Sequence, residues 1–400
     1  MADDQTPFGQ VHKAWDSATL DGDVYAEPLV AAGHVIAATE ANSVYALDAA
    51  TGAQVWRAQL GAPVNGDSLP CGNINPSGIT GTPIADPSSN TLYVVVFLAA
   101  GTHHELYALD LGNGAAKWHR PIDPAGLAGR VEQQRGALAL DSGRVYVPFG
   151  GLLGDCGSYK GAVVSSAVDG QGDLTNYVVP TTREAAIWHP GGPVVAPNGD
   201  LFVSTGNSES SSRFDYGNTV VRLNAQLQAV DYFAPSNWLH LNQSDTDLGS
   251  IGPALVGTNR VVASGKEGVA YLLDRGKLGN IGGALTSIQA CSGGAFGTAA
   301  VLGSKVFLPC TDGLVALGTD NDRLTVGWKA PGRAGPPVLA GSVVWVLFGN
   351  GRLSALDPQG GREVFGTQVG APVSRFVSMA AAGGRLFVAP TNKVTAFALR

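Results

Sequence analysis

The chain has 400 residues, only 14% of them charged, and a net charge of −7, a balance that argues against nucleic acid or an anionic membrane as partner. Its 55 glycines and 23 prolines are spread evenly, and no stretch shows sustained helical periodicity. No apolar run approaches the ~20 residues of a membrane-spanning helix.

Met1–Ala2–Asp3–Asp4–Gln5 lacks the basic start and apolar stretch of a signal peptide. The scarcity of Lys and the abundance of Gly, Ser and Thr nevertheless read as an exported chain whose signal is absent. Val11–His12–Lys13–Ala14–Trp15 reads as a strand bearing a large aromatic. A phrase then begins at Val44–Tyr45–Ala46–Leu47–Asp48, passes through Thr51–Gly52 and reaches Trp56. It returns as Leu106–Tyr107–Ala108–Leu109–Asp110, with Gly114 and Trp118. Fainter copies follow at Tyr271–Leu272–Leu273–Asp274, at Leu314–Val315–Ala316–Leu317 with Trp328, and at Leu353–Ser354–Ala355–Leu356–Asp357 with Gly360–Gly361. Each copy reads as an alternating strand, a tight Asp/Gly turn and an outer strand that ends on a large aromatic. A sheet-forming unit that recurs along the whole chain is the signature of a radial array.

Units start at Val24, Gly78, Gly136 and near Ile187, then near Ser250, Gly293, Gly335 and Val377. The eighth stops after its third strand, Val394–Leu399, and the strand at Val11–Trp15 is free to complete it. An all-β, eight-bladed β-propeller of four-stranded antiparallel blades follows, a single domain over residues 1–400 closed by its own N-terminal strand. Seven blades are the fallback if the irregular stretch from Leu174 to Trp188 is not part of a blade. The Ala-rich Met379–Gly384 reads as a tight connection, and His103–His104 as an exposed loop.

Four cysteines without Cys-x-x-Cys spacing argue against zinc and are compatible with two disulfides. Cys291 and Cys310 lie within one repeat, close enough to pair. Cys71 and Cys156 belong to different repeats and pair only if those sheets converge.

The Ala-Leu-Asp…Thr-Gly…Trp repeat resembles that of the quinoprotein alcohol dehydrogenase-like superfamily. Its members are eight-bladed propellers, some holding pyrroloquinoline quinone (PQQ) on the axis; non-catalytic relatives carry the same repeat. The resemblance assigns roles one residue at a time. Trp188, followed by Thr205–Gly206–Asn207, would floor the quinone ring, and Asn207 would bind a metal. Lys266, in Lys266–Glu267–Gly268 ahead of Leu272–Leu273–Asp274–Arg275, would polarise the quinone oxygen. Asp245 would be the general base that takes the substrate hydroxyl proton and a ligand of the metal. Asp247 matches the extra carboxylate of lanthanide-using relatives. Asp155 replaces the family's metal-ligating Glu. Only one of the family's two adjacent lid cysteines is kept, as Cys71. Cys156 adjoins Asp155, so a Cys71–Cys156 disulfide beside the cofactor is the expectation.

The resemblance thus implies a PQQ- and Ca²⁺- or lanthanide-dependent dehydrogenase. It would oxidise a small-molecule alcohol or sugar and hand electrons to a separate acceptor, since no Cys-x-x-Cys-His haem sequence occurs. The rival is a non-catalytic propeller serving as a binding or assembly scaffold.

Overall fold

A computed structural model describes residues 9–370 and 373–399; Met1–Gln5 and Arg400 lie outside them. The chain forms eight β-sheets in sequence order. The first runs from Leu29–Ala31 at the axis through His34–Ala38 and Ser43–Asp48 to the outer strand Gln54–Gln59. The remaining sheets repeat this order, with an additional two-residue strand in the third (Glu132–Gln133) and in the fourth (Asn280–Ile281). The eighth uses Met379–Ala382, Arg385–Val388 and Thr395–Ala398, and its outer strand is His12–Asp16 from the other end of the chain. That pairing closes the ring in the expected way and leaves no open sheet at the junction. The count is eight, not seven: Thr175–Val178 is the outer strand of the third blade, ahead of Trp188.

The structure gives the repeat a contact meaning. In four blades the tryptophan of the outer strand lies on the turn glycine of the next blade. Cβ atoms built on Gly52, Gly114, Gly170 and Gly361 would fall 2.5–2.7 Å from the rings of Trp15, Trp56, Trp118 and Trp328. All four glycines have φ between +70° and +75°, so this position excludes a side chain on two independent grounds. The indole N–H of Trp56 also donates to Leu111 O at 3.0 Å, and that of Trp328 to Pro358 O at 3.2 Å. Beside the aromatic, the outer strand carries a bulge: Ala46 faces Trp56 while Leu47 faces Gln54, leaving Val55 unpaired and 48% exposed. The Trp therefore sits inside the outer strand rather than at its end.

Two other local readings are corrected. Met379–Ala382 is the inner strand of the eighth blade, where crowding near the axis favours small side chains. His103–His104 begins the strand His103–Asp110, and His104 is buried, stacked on Phe97 with ring centroids 4.2 Å apart and its Nδ1 2.7 Å from Asp123 Oδ1. Both cysteine pairs form disulfides, Cys71–Cys156 and Cys291–Cys310.

In such a sheet the connection between the second and third strands and the one leading to the next blade emerge on the same face. That face therefore collects residues from all around the ring, and the candidate site residues lie on these connections.

Candidate functional site

An axial cavity of about 650 Å³ opens on this face, lined by Asp155, Trp188, Asn207, Asp245, Asp247 and Lys266 among others. The backbone explains why they meet. Ala185 N–H donates to Asn207 O at 2.7 Å, and Gly206 N–H to Ala186 O at 2.9 Å, so the Trp188 segment is zipped to the Asn207 segment. Asn207 N–H donates in turn to Asp247 Oδ1 at 2.8 Å, and Lys266 N–H donates to Asp247 O at 2.8 Å. Two buried asparagines reinforce this arrangement. Asn242 Oδ1 accepts from Ser208 N–H and Asn218 Nδ2, while Asn218 Oδ1 accepts from Leu248 N–H at 2.7 Å. Close approach demands glycine at Gly265, where a Cβ would lie 2.4 Å from Asp247 O.

Asn242 belongs to a short helix, Trp238–Gln243, and Lys266 lies in a turn before the strand Val269–Asp274 rather than among strand residues.

Lys266 Nζ lies 2.8 Å from Asp245 Oδ1 and 2.9 Å from Asp247 Oδ2. The two carboxylates differ sharply in exposure, 69% for Asp245 and 6% for Asp247. Burial disfavours the Lys266 ammonium, yet the Asp247 and Asp245 carboxylates more than offset it and hold its pKa above the ordinary lysine value. Burial pushes the Asp247 carboxyl up against the opposing pull of Lys266 and Asn207 N–H. The ammonium also stands 6.0 Å from the Trp188 ring centroid.

Asp155 is exposed, and its Oδ1 accepts the Tyr159 hydroxyl at 2.5 Å. Its backbone carbonyl accepts from Arg183, which pairs with Glu184 at 2.9 Å. Asp155, Glu184 and Asp245 have φ of +53°, +75° and +50°, a left-handed conformation costing on the order of 1 kcal/mol or more each for residues with side chains. The Cys71–Cys156 bridge, with Cα atoms 6.0 Å apart, ties the neighbouring loops together beside Asp155.

The far wall was not legible in the sequence. Phe376 meets Trp188 edge-on with centroids 6.1 Å apart, and Phe296 at 6.3 Å. Arg135 lies 5.6 Å from the Phe376 centroid and Arg375 4.3 Å from that of Phe296. Among the described residues neither guanidinium has a carboxylate partner. Burial lowers the Arg135 guanidinium to about 10. The cavity thus has an aromatic belt with Lys266 and its aspartates at one end and two unpaired arginines at the other.

A flat anionic quinone suits this belt: aromatic faces for the ring, guanidinium groups without carboxylate partners for its carboxylates. A metal ion does not. Among the described residues, no three of Asp155, Glu184, Asp245 and Asp247 offer oxygens within 4.8 Å of one another. The position between Asp245 and Asp247 is filled by an ammonium group. The residues expected to ligate Ca²⁺ or a lanthanide (Asp155, Asn207, Asp245 and Asp247) share the cavity, but among the described residues their three carboxylates do not form a cluster of oxygens within 4.8 Å of one another.

Residues 12–276 and 282–399 match the PQQ-repeat family described as outer membrane protein assembly factor BamB. The chain belongs to this PQQ-repeat family. Its fold is similar to that of the quinohemoprotein alcohol dehydrogenase ADHIIG of Pseudomonas putida HK5, with a TM-score of 0.73 and 15% identity over 98% of this chain and 76% of that one. BamB of Moraxella catarrhalis matches with a TM-score of 0.64 and 16% identity over 98% of both chains. A europium-containing methanol dehydrogenase matches with a TM-score of 0.71 and 14% identity over 97% of this chain and 93% of that one. At these identities the likeness shows the fold alone. No curated protein sequence matches. Among the described residues no helix is long and apolar enough to cross a membrane.

Proposed function

We propose that this propeller is a quinone-dependent oxidoreductase that binds PQQ or a close analogue on its axis and oxidises an alcohol or sugar hydroxyl. The observation that carries this reading is the meeting of Trp188, Asn207, Asp245, Asp247 and Lys266 around one cavity whose far wall offers two unpaired arginines. When bound, the quinone supplies the acceptor for a hydride from the alcohol carbon. Trp188 and Phe376 would supply aromatic surface to the ring, and Arg135 and Arg375 would hold its carboxylates. Lys266 directs positive charge at the oxygen where negative charge develops. Asp245, solvent-facing and oriented by Lys266, takes the hydroxyl proton. A separate acceptor removes the two electrons. The two disulfides fit an oxidising compartment.

The test is to add PQQ to the purified protein and follow tryptophan quenching, the quinone spectrum, and dye reduction with alcohols and sugars. Asp245→Asn should keep quinone binding and lose dye reduction. Absence of quinone binding at micromolar concentration would remove the proposal. It would favour the second reading, a non-catalytic assembly scaffold, which the end-to-end match to BamB supports.

A further inference from the structure

The acidic end of the cavity has a feature that the quinone reading does not require. Two carboxylates, one almost fully buried, converge on a single ammonium group, which engages one oxygen of each. A buried carboxylate is stable only with a compensating charge. Asp247 is compensated twice within the chain: its Oδ2 is paired with Lys266, and its Oδ1 accepts Asn207 N–H. Asp155 Oδ1 accepts the Tyr159 hydroxyl. A Ca²⁺ or lanthanide ion needs six or more oxygens at about 2.3–2.6 Å. Here it would have to displace a like charge standing 2.8–2.9 Å from both aspartates. The Lys266 N–H bond to Asp247 O roots the side chain beside both aspartates, and moving the ammonium away would leave the buried Asp247 carboxylate without its countercharge.

We propose that the Lys266 ammonium is the built-in cation of this cavity, held by Asp245 and Asp247 in the place a metal would require, so that the cavity takes its flat anionic ligand without a metal ion. The proposal rests on the quinone reading for the identity of that ligand, but not for the behaviour of Lys266. Positive charge at the ligand is then covalently part of the chain, and chelators have nothing to remove.

The decisive experiment is titration of the full-length protein with Tb³⁺, exciting tryptophan and reading sensitised terbium emission; Trp188 is well placed as the donor. The wild type should give no saturable emission at micromolar Tb³⁺. Lys266→Gln, which removes the ammonium but keeps a polar side chain between the aspartates, should bind Tb³⁺ at least about tenfold more tightly, since one like charge at contact distance has gone. Lys266→Met serves as a second variant, and near-ultraviolet circular dichroism checks that both fold. Saturable micromolar binding by the wild type, or equal affinity in folded variants, would overturn the proposal. In parallel, PQQ affinity measured with and without EDTA should be unchanged, and quinone binding that appears only with added Ca²⁺ or La³⁺ would also overturn it. Absence of quinone binding under every condition would sink the proposed function, while the terbium result would still decide the role of Lys266.

Discussion

The contact between turn glycine and tryptophan makes a quantitative demand on blade docking. Gly114 has φ +74°, and a Cβ placed there would meet Trp56 Cε3 at 2.6 Å. Gly143 has the same φ of +74° but nothing within 4 Å. An alanine at either position bears the left-handed strain of about 1–2 kcal/mol. Only Gly114→Ala must also push back a ring that is 7% exposed and hydrogen-bonded to Leu111 O, which adds about 1–3 kcal/mol of overpacking. Gly114→Ala should therefore cost about 2–5 kcal/mol in all, against about 1–2 for Gly143→Ala. Urea melts read by circular dichroism measure both. The double variant Trp56→Leu/Gly114→Ala isolates the ring: removing it should recover the overpacking part, giving a coupling of about 1–3 kcal/mol. Equal costs at Gly114 and Gly143, or strict additivity in the cycle, would refute the claim that the repeat encodes a contact between blades.

Two further outcomes are expected. Glu132 is fully buried, with Oε2 unpartnered, and burial lifts its carboxyl from 4.5 to about 8. The native state thus keeps a proton that the unfolded chain releases near pH 4.5, so stability should fall as pH rises from about 4.5 to about 8, by at most about 1.4 kcal/mol per unit. Glu132→Gln should flatten that slope in urea melts at stepped pH, and an unchanged slope would exclude Glu132 as its source. Arg135→Met should leave the unfolding midpoint unchanged or raised, because losing the 3.2 Å bond to Thr80 O is offset by removing a half-buried charge that has no carboxylate partner. It should also weaken PQQ about tenfold or more through loss of a charge-assisted hydrogen bond; equal affinity would show that the arginine does not face the ligand.

The sequence displayed the features that repeat or that match a motif, because in both cases the residue type is dictated by a contact. Trp56 and Gly114 recur because one occupies the space the other leaves. Asn207, Asp247 and Lys266 were legible because backbone bonds hold them at fixed offsets from Trp188. Arg135, Phe296, Arg375 and Phe376 were not, because they sit on inter-blade connections that have no common length or phrase. The buried His104 was misread because its environment comes from Phe97, Asp123 and Phe149, none of them its neighbour in sequence. The ion pairing of the two aspartates with Lys266 was equally invisible. Asp245, Asp247 and Lys266 were all singled out, but only coordinates reveal that their charges satisfy each other.

The charges of the cavity bear on the choice between enzyme and scaffold. A pocket without a ligand would be expected to shed unpaired charge, since each guanidinium held away from water without an anion works against folding. Lys266 pays no such penalty, being matched by two aspartates, and so says nothing about a ligand. Arg135 and Arg375 do: they are kept against an aromatic wall, burial lowers the pKa of both, and Arg375 also feels Arg333. An anion entering there would reverse that effect, and the binding free energy would include the relief. The same wall offers little to a peptide backbone, whose carbonyls carry no net charge. On the proposed reading, the arginines would favour a compact anionic molecule over a peptide, with the neutralised Asp245–Lys266–Asp247 group at the other end of the cavity.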